Sequence, residues 1–200
     1  MIPLSRPDIT EREKQLVLEV LNSDQLALGP MLKAFEEKMS MYIGTKYAVA
    51  CNSGTSGLHM LIRAFDIKDG DEVITTPFSF VASSNCILFE RAKPVFVDID
   101  EKTLNMDVTQ IESKITERTK AILPVHVFGQ PANMDEINRI AKKHGLVVIE
   151  DACEAIGAKW NGKMAGTMSD AAVFAFYPNK QMTTGEGGVV VTDQETIAKL

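Results

Sequence analysis

The 200-residue sequence holds only three cysteines, Cys51, Cys86 and Cys153, far apart and without any Cys-x-x-Cys pair. Such spacing offers neither a zinc site nor a disulfide framework, and each thiol is expected to pack as a small apolar group. Positive charge is also short. Lys and Arg total 21 against 27 for Asp and Glu, a net charge of −6, and the basic residues are scattered. Nucleic acid is therefore not an expected partner, because neutralising phosphates needs clustered cations. No apolar run approaches the roughly 20 residues that span a bilayer. The opening MIPLSRPDIT lacks the basic flank and apolar stretch of a signal peptide. No membrane partner is expected, and the cytoplasm is the expected address. Internal repeats, low-complexity tracts and linkers are missing as well.

What is present is an alternation of short apolar runs and amphipathic stretches. Thr10-Glu11-Arg12-Glu13 has the capping-box pattern, and Leu16, Val17, Val20 and Leu21 follow at helical spacing. A second helix is expected over Met31 to Tyr42. Beyond it, Tyr47 to Cys51 reads as a strand, Thr55 to Phe65 as a helix, Glu72 to Thr75 as a strand and Phe80 to Phe89 as a helix. Pro94 to Val97 and Ala121 to Val125 are strand-like, with Val108 to Ile115 helical between them. Asn133 to His144 forms the next helix, stopped by Gly145. Leu146 to Ile149 is too short for a helix and continuously apolar, as in a strand buried on both faces. Ala171 to Phe176 and Gly188 to Thr192 are further strands, and Gln194 to Leu200 opens a helix. Units of this length imply an α/β, doubly wound, mostly parallel sheet, since parallel neighbours need helical crossovers. Ligands bind such sheets beyond the carboxyl ends of their strands.

Three features stand just after predicted strands. Ser53-Gly54-Thr55-Ser56-Gly57 places two glycines and three hydroxyls where a helix begins, and free N–H groups with the helix dipole attract an anion there. The same residues also serve simply as turn formers and N-caps. Asp151 follows the strand that ends at Ile149, with Glu154 three residues beyond. It either caps a turn or holds the proton of a cofactor's ring nitrogen. Lys180 lies between a strand and Thr184-Gly185-Glu186-Gly187-Gly188. An amine desolvated there forms an imine with an aldehyde readily. His126 is either a substrate-facing residue or a satisfied structural histidine.

The stretches CNSGTSGL, TTPFSFVASSN, KPVFVDID, PVHVFGQPANM, VIEDACEAIGA and FAFYPNKQMTTGEGG, in this order, resemble the DegT/DnrJ/EryC1/StrS family of pyridoxal-phosphate sugar aminotransferases over essentially the whole chain. The resemblance implies the large domain of a fold type I pyridoxal-phosphate transferase, a mostly parallel sheet with helices on both faces. By the same resemblance Lys180 matches the imine-forming lysine and Asp151 the partner of the ring nitrogen. Gly54, Thr55 and Ser56 fall in the phosphate loop, and Phe80 matches the aromatic that stacks on the ring. Glu154 stands where relatives often have Gln or His, beside the ring's hydroxyl. Leu28-Gly29-Pro30 resembles an active-site loop of the family, although Gly-Pro also simply breaks a helix.

The family implies pyridoxal 5'-phosphate as cofactor, a keto sugar nucleotide and an amino donor, glutamate by analogy, as reaction partners, and a homodimer. It also implies a small carboxyl-terminal domain beyond the incomplete large domain of residues 1–200. One departure is Ala175, where many relatives carry a serine that contacts the phosphate; Thr55, Ser56 and backbone donors are expected to compensate. Related dehydratases replace the lysine with histidine, so Lys180 favours transamination. A lysine-dependent dehydratase and a regulatory, ligand-sensing protein of the same fold stand as alternatives.

Overall fold

A computed structural model describes residues 6–200; the first five residues, part of the stretch read for a signal peptide, lie outside them. Helix α1 (Glu11–Leu21) starts at Thr10, and both halves of the expected capping box with Glu13 are formed. Its apolar residues do not reach the core: Val17, Leu18 and Leu21 are each more than half exposed. Helix α2 (Pro30–Ile43) begins at the Gly29-Pro30 pair and buries Met39 and Ile43. Thereafter come β1 (Tyr47–Cys51), α3 (Gly54–Ala64), β2 (Glu72–Thr75), α4 (Ala82–Phe89) and β3 (Lys93–Phe96). The stretch expected to be one helix from Val108 splits into a 3-10 turn and a short α5 (Ile111–Lys114). The remainder runs β4 (Thr119–Ile122), α6 (Met134–His144), β5 (Val147–Asp151), β6 (Lys159–Trp160), β7 (Lys163–Met164), β8 (Ala171–Ala175), β9 (Gly188–Thr192) and α7 (Glu195–Ala198). Among the described residues no helix is long and apolar enough to cross a membrane.

Seven strands form one sheet in the order β1-β9-β8-β5-β4-β2-β3, and β6 pairs with β7 in a separate hairpin. Every pair from β8 to β3 is parallel, whereas β9 runs antiparallel to both its neighbours. The mostly parallel sheet expected from the sequence is therefore present, with one reversed strand inserted next to the edge.

Successive strand residues point to opposite faces, and both faces are covered. Val73, Ala121, Leu123, Ile149, Val173 and Val190 pack on one side with Leu58, Leu61 and Ile62 of α3 and Cys86 and Ile87 of α4. Ile74, Ile122 and Val148 face the other way, onto Ile137 and Ile140 of α6. Ala172, Phe174, Val189 and Val191 share that second side with Met39 and Ile43 of α2. Continuous apolar strands such as Val147-Val148-Ile149 are what a sheet sandwiched between helices requires.

Three boundaries differ from expectation in ways that matter for the site. The β4 pairing stops at Ile122, ahead of Pro124, which has no N–H to give a ladder; Val125 touches β5 only as an isolated bridge to Asp151. Strand β5 runs two residues past Ile149, so Asp151 is its last residue and is not in a following turn. Helix α4 starts at Ala82, which leaves Phe80 in the turn before it.

Candidate active site

The carboxyl ends of β1, β2, β4, β5 and β8 and the start of β9 open into one cleft of about 730 Å³. That volume suits a small organic ligand. Gly54, Thr55, Phe80, Asp151, Glu154 and Lys180, all singled out from the sequence, line it. Ser56 lies in the same turn but does not reach the cleft wall: its N–H donates to Ser53 Oγ at 3.1 Å, and its hydroxyl accepts from that same oxygen at 3.1 Å. Ser53 is thus the N-cap of α3, leaving the N–H groups of Gly54 and Thr55 without an acceptor among the described residues. Two such donors at the first turn of an eleven-residue helix attract an anion.

Close packing holds this turn against the sheet. A Cβ added at Gly54 would lie 2.7 Å from Ala175 Cβ and 2.8 Å from Cys153 Sγ. The reversed β9 brings Gly188 so near Ser53 that a Cβ there would sit 2.6 Å from the Ser53 carbonyl. The turn at Gly54 therefore has no room for a side chain between it and Ala175.

Asp151 is 5% exposed. Its Oδ2 accepts from Ser83 Oγ at 2.6 Å and its Oδ1 from the Cys153 N–H at 3.2 Å. Its backbone is tied on both sides, with N–H to the Pro124 carbonyl at 2.9 Å and its own carbonyl accepting from His126 N–H at 3.0 Å. Strand pairing, the Ser83 hydroxyl and the Cys153 N–H together leave this carboxylate little freedom.

Lys180 sits in the loop from Phe176 to Gly187. That loop closes on itself: Phe176 N–H donates to the Gly187 carbonyl at 2.9 Å, and Thr184 N–H donates to the Phe176 carbonyl at 3.1 Å. Phe176 is buried and packs edge-on to Phe35 at 5.5 Å. The Lys180 side chain is only 15% exposed, and its Nζ donates to Glu154 Oε1 at 2.8 Å. Glu154 Oε2 accepts from the Phe128 N–H at 3.3 Å, and its backbone carbonyl accepts from Gln181 Nε2. One residue thus links the lysine loop to the turn after β4. Phe128 holds a left-handed φ of 52°, is largely exposed and meets Phe78 edge-on at 6.0 Å across the mouth of the cleft.

His126 borders the cleft but is fully buried and fully partnered. The Ala132 N–H donates to its Nδ1 at 3.2 Å, so Nδ1 carries the lone pair and Nε2 carries the proton, which goes to Glu150 Oε2 at 2.8 Å. Glu150 also accepts from the N–H groups of Gly166 and Met168 and from Ser169 Oγ. Burial pushes the Glu150 carboxyl up, but the hydrogen bonds from His126, Ser169 and Gly166 outweigh it and leave the group below its ordinary range. Of the two readings of His126, the structural one holds. The three thiols are free. Burial raises Cys51, pushes Cys86 up to about 12 and raises Cys153 well above the usual range, with Asp151 adding to the last two. All three pack as apolar groups and none is a thiolate nucleophile.

Pyridoxal phosphate needs an amine for its aldehyde, an anion for its ring nitrogen, donors for its phosphate and a flat apolar surface for its ring. The cleft offers Lys180, Asp151, the Gly54 and Thr55 N–H groups, and the exposed ring of Phe80. These residues fit the group. Sequence reasoning missed Ser79, in the turn before α4, and Ser83, in its first turn, and Phe128 and Tyr177, which follow β4 and β8 into the cleft.

The profile of the DegT/DnrJ/EryC1/StrS aminotransferase family matches residues 7–200. GDP-perosamine synthase from Caulobacter vibrioides is 42% identical over 198 residues, covering 98% of this chain and 53% of that protein. The structure of Helicobacter pylori PseC, an aminotransferase involved in the biosynthesis of pseudoaminic acid, superposes with a TM-score of 0.95 at 38% identity, covering 98% of this chain and 53% of PseC. The pyridoxal-phosphate form of the putative sugar aminotransferase Spr1654 from Streptococcus pneumoniae superposes with a TM-score of 0.94 at 33% identity, covering 98% of this chain and 54% of Spr1654. The chain spans about half the length of the curated relatives it matches.

Proposed function

Because the chain belongs to the DegT/DnrJ/EryC1/StrS aminotransferase family, whose aminotransferases depend on pyridoxal phosphate, we propose that it forms the cofactor-binding large domain of a sugar aminotransferase. In this reading residues 1–200 are one incomplete domain, and the small carboxyl-terminal domain belongs to the half of the relatives' length that the chain does not span. The acceptor is a keto sugar carried on a nucleotide, and the donor is glutamate. The names of GDP-perosamine synthase and PseC support an amino-sugar pathway, and that of the spore coat polysaccharide biosynthesis protein SpsC from Bacillus subtilis supports surface polysaccharide as its destination. A homodimer is part of the same proposal, supported by the uncovered apolar side chains of α1.

When bound, the cofactor supplies an aldehyde that condenses with amines and a ring that draws electrons from the carbon being deprotonated. The Gly54 and Thr55 N–H groups bind the phosphate, and Phe80 orients the ring face. Asp151 holds the proton on the ring nitrogen. Lys180 Nζ is the covalent anchor and, once free, takes the proton from the reacting carbon and returns it. Glu154 holds the Lys180 side chain when the amine is not engaged, a role supported by the 2.8 Å contact.

The observation that carries this reading is the shielded Lys180 amine in the same cleft as the buried Asp151 carboxylate. Its test is borohydride reduction of the protein with pyridoxal phosphate, followed by peptide mass mapping. The label is expected on Lys180 and is expected to vanish in Lys180→Ala; a label on any other lysine of the native chain refutes the assignment.

A further inference from the structure

We propose that Ser83 is a positioning residue for Asp151, oriented in turn by Ser79, and that this two-serine relay sets the preference of the site for a protonated ring nitrogen. Ser83 is 1% exposed and stands in the first turn of α4, on the inner face that continues through Cys86 and Ile87. A serine there ordinarily turns back onto a carbonyl of the preceding turn, and the Phe80 carbonyl is available at 3.3 Å. The carboxylate of Asp151 lies nearer, at 2.6 Å, within the range of a charge-assisted O–H···O⁻ bond. A hydroxyl has one proton to give, so Ser83 gives it to Asp151.

That choice fixes the direction of the remaining contact. Ser79 Oγ lies 2.6 Å from Ser83 Oγ. With the Ser83 proton committed, Ser79 is the donor, and the chain runs from Ser79 at the cleft wall through Ser83 to Asp151 Oδ2. Bonds in such a chain polarise one another and strengthen the last one. Oδ2 is pinned by this chain and Oδ1 by the Cys153 N–H, so the carboxylate plane is set before any ligand arrives. The same segment carries Phe80, so one turn of chain fixes both the ring's apolar contact and the orientation of its anion.

This inference rests on the reading of Asp151 as partner of the ring nitrogen, and the test separates the two. Pyridoxal phosphate and its analogue with carbon in place of the ring nitrogen are titrated into the native chain and variants, and binding is followed by absorbance. The native chain is expected to prefer pyridoxal phosphate, because the analogue offers Asp151 no proton. Ser83→Ala is expected to narrow that preference by up to about tenfold, because a carboxylate freed from its orienting donor turns away from the ring nitrogen part of the time, while Ser83→Thr retains it. Ser79→Ala is expected to narrow it by about threefold. Asp151→Asn is expected to abolish it. Equal loss of both ligands in Ser83→Ala marks a merely structural serine and overturns the proposal, as does an unchanged preference. Should Ser83→Ala fail to fold by circular dichroism, Ser79→Ala decides, and an unchanged preference there overturns the relay. If Asp151→Asn leaves the preference intact, the reading of Asp151 itself fails; if Asp151→Asn abolishes it and the serine variants do not alter it, only the relay fails.

Discussion

Glu150→Gln replaces a fully buried anion that four donors share. On Oε2 are His126 Nε2 and the Gly166 N–H, both at 2.8 Å; on Oε1 are the Met168 N–H at 3.1 Å and Ser169 Oγ at 2.6 Å. A glutamine amide must turn its NH₂ toward one of these pairs. Facing Oε2's partners it meets two committed donors, because the His126 tautomer is fixed by the Ala132 N–H. Facing Oε1's partners is cheaper, since Ser169 can redirect its proton to the Ala171 carbonyl at 2.9 Å and accept from the amide. Only the Met168 N–H then loses its acceptor, at about 1–3 kcal/mol, and the other three bonds fall from charge-assisted to neutral strength. Removing a buried charge offsets part of this. The expected net loss is about 2–4 kcal/mol, or roughly 4–16 °C in Tm for a chain of this size, read by urea and thermal unfolding with circular dichroism. Because the folded-state pKa of Glu150 lies below its ordinary value of 4.5, its contribution is present above pH 4.5 and is lost as pH falls through the folded-state value. The gap between native and variant should therefore close on acidification. A loss under about 0.5 kcal/mol at neutral pH, or a gap that widens in acid, would refute this account of the network.

Other perturbations separate packing from cofactor contact. Gly54→Ala drives a methyl into Ala175 and Cys153, and is expected to cost about 1–3 kcal/mol of stability while weakening phosphate capture; inorganic phosphate protection in thermal scans measures both. Phe80→Ala removes a ring that is 75% exposed, so stability should change by less than about 0.5 kcal/mol. Its affinity for pyridoxal phosphate should nevertheless fall severalfold in an absorbance titration, and an unchanged affinity would remove Phe80 from the site.

Much of this architecture is legible in the residues, for identifiable reasons. Strands β1, β2 and β9 keep their expected bounds, because turn formers such as Asn52-Ser53-Gly54 after β1, Pro77 after β2 and Asp193 after β9 follow them closely. Asn133 and Gly145 frame α6 as N-cap and C-cap, which their side-chain chemistry announces. The direction of β9 is not written in its pattern, since a buried strand is continuously apolar whichever way it runs. The β6–β7 hairpin escaped because two-residue strands have no periodicity to detect, yet Asn161-Gly162 between them is the strongest short hairpin signal there is. Within the site, Lys180, Asp151 and the Ser53 turn stand out by chemistry and by following strands. Ser83 does not: one serine in an apolar helix face gains meaning only when the fold brings it to a carboxylate 68 residues away. Ser56 illustrates the converse, a hydroxyl correctly placed in sequence whose bonds are spent locally on Ser53.

The placement of β1 has a kinetic side. Among the described residues it is the first strand, yet its one sheet partner there is β9, the last of them, and the junction is sealed by the Lys46 N–H donating to the Asp193 carboxylate, 147 residues away. During synthesis from the amino terminus, the ladder between them has no second half until residues 188–192 exist. Every other strand of the sheet has at least one neighbour much closer in sequence. Long loop closure comes late because its entropy is lost before its contacts are gained. The edge that carries the Ser53 turn is therefore expected to be the last part of the sheet to lock, after the strand bearing Asp151 already has partners.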